Sequence, residues 1–252
     1  MNKAVEKTVE TLRSRNWIED CSTDIPDLAT AFDVQDAAVL KIATDRGGFA
    51  GYKIAFNSDV LMKKLGVPHP GMGRIFADQV CESGVSLSVD DYVHFMIEPE
   101  IAAVLSKDII PGVFHTAESV EMTVEKYLPA FELLDRRNKN GMMHPPTVIA
   151  HNVFNAGIVV GGPGLAPADF NWTTCKTVCR DSGKTVIEGT GIAPQNPAEA
   201  LAFLANHFTG RGQIMRAGSL VLLGAHCPLY LVEAGREMTL DLGPLGGVSF
   251  ST

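Results

Sequence analysis

Two glutamates stand in an otherwise apolar run, Met96-Ile97-Glu98-Pro99-Glu100-Ile101-Ala102-Ala103-Val104-Leu105. On a strand, residues i and i+2 share a face, about 7 Å apart. Two carboxylates projecting together from an apolar strand repel one another and resist desolvation. A hard cation between them removes both penalties, and an all-oxygen donor set suits Mg²⁺, Mn²⁺ or Ca²⁺ rather than zinc. The plain alternative is a strand whose glutamates face solvent, and the local pattern leaves both open. Pro99 suits either, because it favours an edge or bulged strand. Glu132 is a third acid in similar company, in Tyr127-Leu128-Pro129-Ala130-Phe131-Glu132-Leu133-Leu134, and would complete a three-carboxylate site. Asp135 competes with it; its plain role is the solvated end of an element.

Lys53 lies in the apolar stretch Gly51-Tyr52-Lys53-Ile54-Ala55-Phe56, where a lysine must snorkel, pair with an acid or carry function. Asp78 follows Ile75-Phe76-Ala77. By position alone, each also fits a structural role. The Gly-Gly-Pro-Gly run at 161–164 leads into Leu165-Ala166-Pro167 and no evident helix, so it is not a phosphate loop. No serine sits in a G-x-S-x-G setting, and the histidines lack H-E-x-x-H spacing. His144, His151 and His226 remain polar candidates, each explicable alone as a loop or strand residue.

The elements that must position these groups follow from the pattern. Residues 3–15 predict an amphipathic helix with Val5, Val9 and Leu12 on one face. A second helix is expected over 34–46, begun by Asp33 or Val34 and ended by Gly47-Gly48. A strand over 51–58 leads to a short helix at 59–66, capped by Ser58 or Asp59 and stopped by Gly66. Residues 67–73 read as a turn-rich loop and 85–105 as strands. A helix is expected over 117–135, strands over 147–160 and 172–190, the latter a hairpin about Asp181-Ser182-Gly183-Lys184. Residues 197–208 predict a helix with Pro197 in its first turn, and 218–250 further strands. Many short strands with a few helices predict an α+β fold, a β-rich roll or sandwich. An N-terminal helical segment, 1–48, is expected to pack on a catalytic domain, 49–252.

A chain of 252 residues suits one β-rich domain. Its net charge of −8 argues against nucleic acid as a partner, which needs clustered Lys and Arg. No apolar run reaches the roughly 18 residues of a membrane helix, and the N-terminus lacks the apolar core of a secretory signal. A cytoplasmic setting is expected. The five cysteines are odd in number, which speaks against a disulfide framework. Cys175 and Cys179 read as buried thiols rather than a metal clip.

Taken in order, these pieces resemble the hydratase/decarboxylase branch of the fumarylacetoacetate hydrolase superfamily. The resemblance covers most of the chain. It rests on Gly51-Tyr52-Lys53-Ile54-Ala55-Phe56-Asn57-Ser58, on Leu65 through Asp78, on Glu98-Pro99-Glu100-Ile101-Ala102, on Leu128-Pro129-Ala130-Phe131-Glu132, and on later Asn-Ala-Gly, Pro-Ala and Ala-Gly stretches. Any one is weak; the ordered set is specific, and it favours the metal reading of the glutamates.

The resemblance implies a role for each matched residue. Glu98, Glu100 and Glu132 would bind Mg²⁺ or Mn²⁺, which would chelate the 1-carboxylate and 2-oxygen of a small 2-oxo or 2-hydroxy-dienoic acid. Lys53 and Asp78 would be the proton-transfer groups. Ser58, Arg74, Phe76, His151, Asn152, Gly224 and His226 would line the substrate. The implied reaction is hydration to a 4-hydroxy-2-oxo acid through an enolate whose charge the cation stabilises. Decarboxylation of a 4-oxalocrotonate type of acid would use the same electron sink. Homo-oligomerisation is implied, as is complex formation with a partner hydratase or decarboxylase, in which this chain could be a weakened, non-catalytic subunit. A C–C bond hydrolase or an oxaloacetate-decarboxylase-like member of the wider superfamily is a further alternative, but no His-x-x-Glu helix of the type some of those members carry stands near the N-terminus. The chain departs from the family pattern at Ala55, Arg74, His151, Ser219 and Leu223. Arg74, His151 or His226 could therefore meet a second carboxylate, implying a dioic acid.

Overall fold

A computed structural model of the chain describes residues 1–141 and 143–252. Helix α1 (Asn2–Arg13) buries Ala4, Val5, Thr8 and Val9 along one face. Helix α2 (Leu28–Ala43) begins earlier than the expected Asp33 or Val34, because the Asp27 side chain accepts the Thr30 N–H at 2.8 Å and caps it there. Strand β1 (Phe49–Ala55) leads to α3 (Asp59–Leu65), which Ser58 caps and left-handed Gly66 ends. Strand β2 (Gly71–Phe76) takes in residues expected as loop, since they pair antiparallel with β1 along its length. Short β3 (Val80–Glu82) and β4 (Val85–Ser86) precede the long β5 (Phe95–Leu105).

The expected helix over 117–135 is mostly strand. Only α4 (Ala117–Glu121) is helical, capped by Thr116, and β6 (Val124–Asp135) follows. The run from Tyr127 to Leu134 is apolar at nearly every position, so it satisfies a buried helix and a buried strand alike. Pairing with β5 from Leu105↔Val124 to Phe95↔Asp135 decides it, and Pro129 would have broken a helix interior. Residues 147–160 also differ from a single strand. Pro145 and Pro146 open α5 (Pro145–Ala150), and the strand β7 starts later, at Asn155–Val160. Strands β8 (Lys176–Asp181) and β9 (Lys184–Thr190) form the expected hairpin, with Ser182 and Gly183 both left-handed at its tip. Helix α6 (Pro197–Gly210) and strands β10 (Leu220–Ala225), β11 (Tyr230–Leu231), β12 (Glu237–Asp241) and β13 (Gly247–Ser251) complete the chain.

The larger sheet runs β2-β1-β10-β5-β6-β7-β3, with β11 also beside β5. Its two end strands, β2 and β3, are joined by only residues 77–79, so the sheet rolls round on itself. Ile75, Ala102, Ala130, Ile158 and Leu222 form a small apolar plug inside the roll. The second sheet, β4-β13-β12-β8-β9, packs on the outside, where Phe250 meets Phe131 edge-on at 5.2 Å. Helices pack on other parts of the outer surface. Gln35 of α2 donates to the carbonyls of Met72 and Ile149, and Phe208 of α6 packs on Tyr52 of β1. Arg137 donates to the carbonyls of Thr11, Ser14 and Asn16, tying the end of α1 to the roll. The fold is the α+β roll that the sequence predicts. No helix among the described residues is long and apolar enough to cross a membrane. Cys175 and Cys179 are buried free thiols.

Candidate metal centre

On β5 and β6, Glu98 lies directly opposite Glu132, and Glu100 opposite Ala130. Alternation along each strand puts Glu98, Glu100 and Ala102 on one face, and Ala130 and Glu132 on the same face. That face is the inside of the roll, because Ala102 and Ala130 belong to its plug. One carboxylate oxygen from each of the three glutamates lies within 4.8 Å of the others, and among the described residues no other trio of His, Cys, Asp or Glu comes together in this way. Glu100 and Glu132 are fully buried and Glu98 half-buried, so the solvent-facing alternative does not hold.

Lys53 enters from β1, opposite Leu222 on one side and Gly73 on the other, and is fully buried. Its Nζ forms an ion pair with Glu132 Oε1 and donates to the Val153 carbonyl at 3.0 Å. A backbone N–H completes the site. The β10 register shifts between Leu222 and Ala225, and the Gly224 N–H donates to Glu100 Oε2 at 2.8 Å. Only glycine fits there: φ is 117°, and a Cβ would stand 2.3 Å from the Asn57 amide nitrogen. This irregularity also explains how Pro99 is tolerated inside a sheet. Its carbonyl, accepting the His226 N–H, faces the gap between β10 and β11, so no ladder donor is missed there.

The electrostatics are unbalanced. Three carboxylates face one ammonium, which leaves two negative charges uncompensated when all are ionised. Burial, then repulsion from Glu132, pushes the Glu98 carboxyl up to about 8. Burial and the two neighbouring carboxylates hold Glu100 well above the usual carboxyl range. Burial raises Glu132 as well, against the pull of Lys53. Glu100 Oε1 and Glu132 Oε2 are buried with no hydrogen-bond partner among the described residues. An all-oxygen donor set, two uncompensated charges and orphaned buried oxygens together fit a hard divalent cation.

The other expected site residues divide. Arg74 sits between Gly73 and Ile75, so strand alternation turns it to the outer face. There it pairs with Asp36 at 2.6 Å, bonds Gln213 and lies over the Phe49 and Phe208 rings, which corrects its expected contact with a substrate carboxylate. Phe76 shares that outer face and packs on Phe49 at 5.6 Å. Asp78 is exposed and paired with Arg46 at 2.7 Å; no bond among the described residues links it to the glutamates. Ser58 is engaged as the cap of α3. His151 is buried at the end of α5 with Nδ1 on the Thr147 carbonyl at 2.8 Å, and burial pushes its imidazole down to about 4, so it is neutral and engaged elsewhere. His226 is likewise pushed down to about 4 by burial. Its Nδ1 meets Thr177 Oγ1 at 2.8 Å, while Nε2 has no partner among the described residues. Asn152 bonds the backbone of Arg74 twice, through Oδ1 and Nδ2, both at 2.8 Å. Asp135 accepts the Val93 and His94 N–H groups, the structural role open to it. Sequence reasoning missed the Val153 carbonyl, Gly73 and Asn57. Gly73 was expected in a turn-rich loop, and only its place in β2 opposite Lys53 gives the glycine its meaning.

No family model matches the chain. A 4-oxalocrotonate decarboxylase of a Pseudomonas species is 32% identical over 80% of this chain and 78% of that protein. The TodF product hydratase of Pseudomonas putida is 30% identical over 88% of this chain and 83% of that protein. In fold, the chain is similar to 4-oxalocrotonate decarboxylase from Pseudomonas putida G7, solved with magnesium and adipate, with a TM-score of 0.91, 24% identity, and coverage of 100% of this chain and 98% of that one. The chain therefore belongs to the hydratase/decarboxylase branch of the fumarylacetoacetate hydrolase superfamily, a family of lyases.

Proposed function

We propose that Glu98, Glu100 and Glu132 hold one Mg²⁺ or Mn²⁺ ion and that the chain hydrates a small 2-hydroxy-dienoic acid to a 4-hydroxy-2-oxo acid. The observation that carries this reading is the buried trio of carboxylates, with oxygens within 4.8 Å and, among the described residues, Lys53 as the cation paired with them. The decarboxylase of the same fold was solved with magnesium, which supports the choice of a hard cation. When bound, the cation would supply positive charge to the carboxylate and 2-oxygen of the acid, drawing electrons from its carbon chain.

The residues of the chain do the rest. Lys53 Nζ, held by Glu132 and Val153, has a third N–H direction and would deliver a proton to the terminal carbon of the dienol. Protonation there, with the 2-hydroxyl proton leaving to solvent, moves the double bond into conjugation with the resulting 2-oxo group; water then adds its hydroxyl at the β-carbon and its proton at the α-carbon. The apolar plug behind the glutamates keeps bulk water from that side of the site. Asp78, exposed and paired with Arg46, receives no catalytic role in this scheme. The N-terminal segment 1–48 would brace the roll formed by 49–252 through Arg137 and Gln35, and the working form would be a homo-oligomer in the cytoplasm.

Decarboxylation is the second reading, favoured by the 32% identity to a 4-oxalocrotonate decarboxylase: the bonding pair left as CO₂ departs would move through the carbon chain to the 2-oxygen, whose charge the same bound cation would stabilise. Loss of the ultraviolet absorbance of 2-hydroxypenta-2,4-dienoate, followed beside 4-oxalocrotonate with Mg²⁺ present, separates the two. Cation-dependent loss of the dienoate supports the hydratase. CO₂ release from 4-oxalocrotonate instead moves the chain to the decarboxylases. No turnover of either rejects both and leaves the partner-subunit alternative.

A further inference from the structure

Three consecutive residues without a glycine among them, Asn152, Val153 and Phe154, are left-handed, with φ of 57°, 50° and 59°. Asparagine tolerates this region; a β-branched valine and a phenylalanine do not adopt it unless their surroundings impose it. All three are buried, so the turn is not a loose surface loop. What it accomplishes is the placement of one carbonyl: Val153 O accepts from Lys53 Nζ at 3.0 Å.

The surroundings that impose the turn converge on the same lysine. β2 ends one side of the larger sheet, so one of its edges has no strand neighbour. Asn152 supplies one residue's worth of ladder to it, its Oδ1 accepting the Arg74 N–H and its Nδ2 donating to the Arg74 carbonyl. Gly73, opposite Lys53, leaves the space between them. A Cβ at Gly73 would lie 2.9 Å from Asn152 Oδ1 and 3.2 Å from Lys53 Cγ. The Lys53 stem therefore passes through a gap whose far wall is Asn152, and its tip is caught by the residue after Asn152.

We infer that Asn152 and the left-handed Val153 are positioning residues that aim the Lys53 ammonium, and that Asn152 does not contact substrate. Two of the three ammonium protons are committed, to Glu132 and Val153, which fixes the direction of the third. This inference rests on the proposed role of Lys53 as proton donor, but its physical part does not depend on turnover.

The test uses the full chain with Mn²⁺ and two variants, Asn152→Ala and Val153→Gly. The second keeps the clamp on Arg74, relieves the left-handed strain, and guards against misfolding of the first. Mn²⁺ titration of each shows whether the glutamate site is intact. With it intact in Asn152→Ala, kcat for the dienoate is expected to fall on the order of 100-fold while KM stays within about 2-fold, the effect of a misplaced reacting group. By nitrogen NMR, the Lys53 Nζ protons are expected to be protected from exchange in the parent and in Val153→Gly, which keeps the carbonyl and favours the left-handed turn, and to exchange freely in Asn152→Ala. A rise in KM with kcat preserved would make Asn152 a substrate contact and overturn the inference, as would unchanged protection of Lys53 in Asn152→Ala. If the parent itself turns over no dienoate, the proposed function fails, while the exchange measurement still decides whether the turn holds Lys53.

Discussion

Raising the pH of the cation-free protein should lower its melting temperature, and adding Mn²⁺ should restore it. The Glu98 carboxyl titrates at 4.5 when unfolded and at about 8 when folded. Between those values the folded chain keeps a proton that the unfolded chain has released, so folding is favoured at low pH. The contribution is fully present below 4.5 and lost as pH rises through 8. Glu100 and Glu132 shift in the same direction for the same first cause, burial. For Glu98 alone the full rise corresponds to at most about 5 kcal/mol, at about 1.4 kcal/mol per pH unit. Glu98 as a residue is only half-buried, and discounting for screening on that account leaves roughly 2–3 kcal/mol. For a chain of this size that is a fall of about 4–12 °C between about pH 5 and pH 8. Scanning calorimetry with chelator and with saturating Mn²⁺ measures it. The cation binds the ionised carboxylates, so its stabilising effect should be larger at about pH 8 than at about pH 5. A melting temperature that is flat or rises with pH in the chelated protein, or a Mn²⁺ effect larger at low pH, would refute the reasoning.

Other expected outcomes follow from named contacts. Glu100→Gln should abolish the Mn²⁺ effect on melting yet leave the chelated protein more stable than the parent above neutral pH, because it removes a buried carboxylate with an orphaned oxygen. Arg74→Ala should destabilise by about 2 kcal/mol in denaturant titration, taking from Asp36 one of its two arginines while Arg211 remains, and the preference between mono- and dicarboxylic acids should stay as it was. Gly224→Ala should weaken Mn²⁺ binding in a titration, since the new Cβ displaces Asn57 and the N–H that holds Glu100. Arg137→Ala should free the end of α1, seen as faster amide exchange over residues 2–16.

How much of this was legible in the sequence depends on what each residue answers to. Glu98 and Glu100 were legible because strand alternation is local: two acids two apart in an apolar run must share a face. Glu132 was legible as an acid out of place, but not its element, since a run apolar at nearly every position carries no period and only pairing with β5 makes it a strand. The start of α2 differs because its cap, Asp27, lies in the stretch Asp24-Ile25-Pro26-Asp27, whose proline and aspartates read as a connector. Arg74 shows the other limit. Its departure from the family pattern was visible, but which face of the roll it takes depends on Gly73 pairing with Lys53 across β1 and β2, a non-local fact. The left-handed turn at 152–154 has no sequence signature beyond its first residue, because tertiary contacts, not propensity, hold Val153 and Phe154 there.

Equilibrium binding of Mn²⁺ to the chelator-treated chain, read by electron paramagnetic resonance at about pH 8, tests the metal centre most directly. A single site per chain is expected in the parent, and no binding at the same concentrations when Glu132→Gln removes one of the three carboxylates. Binding that survives in that variant, or an absence of binding in the parent, would contradict it.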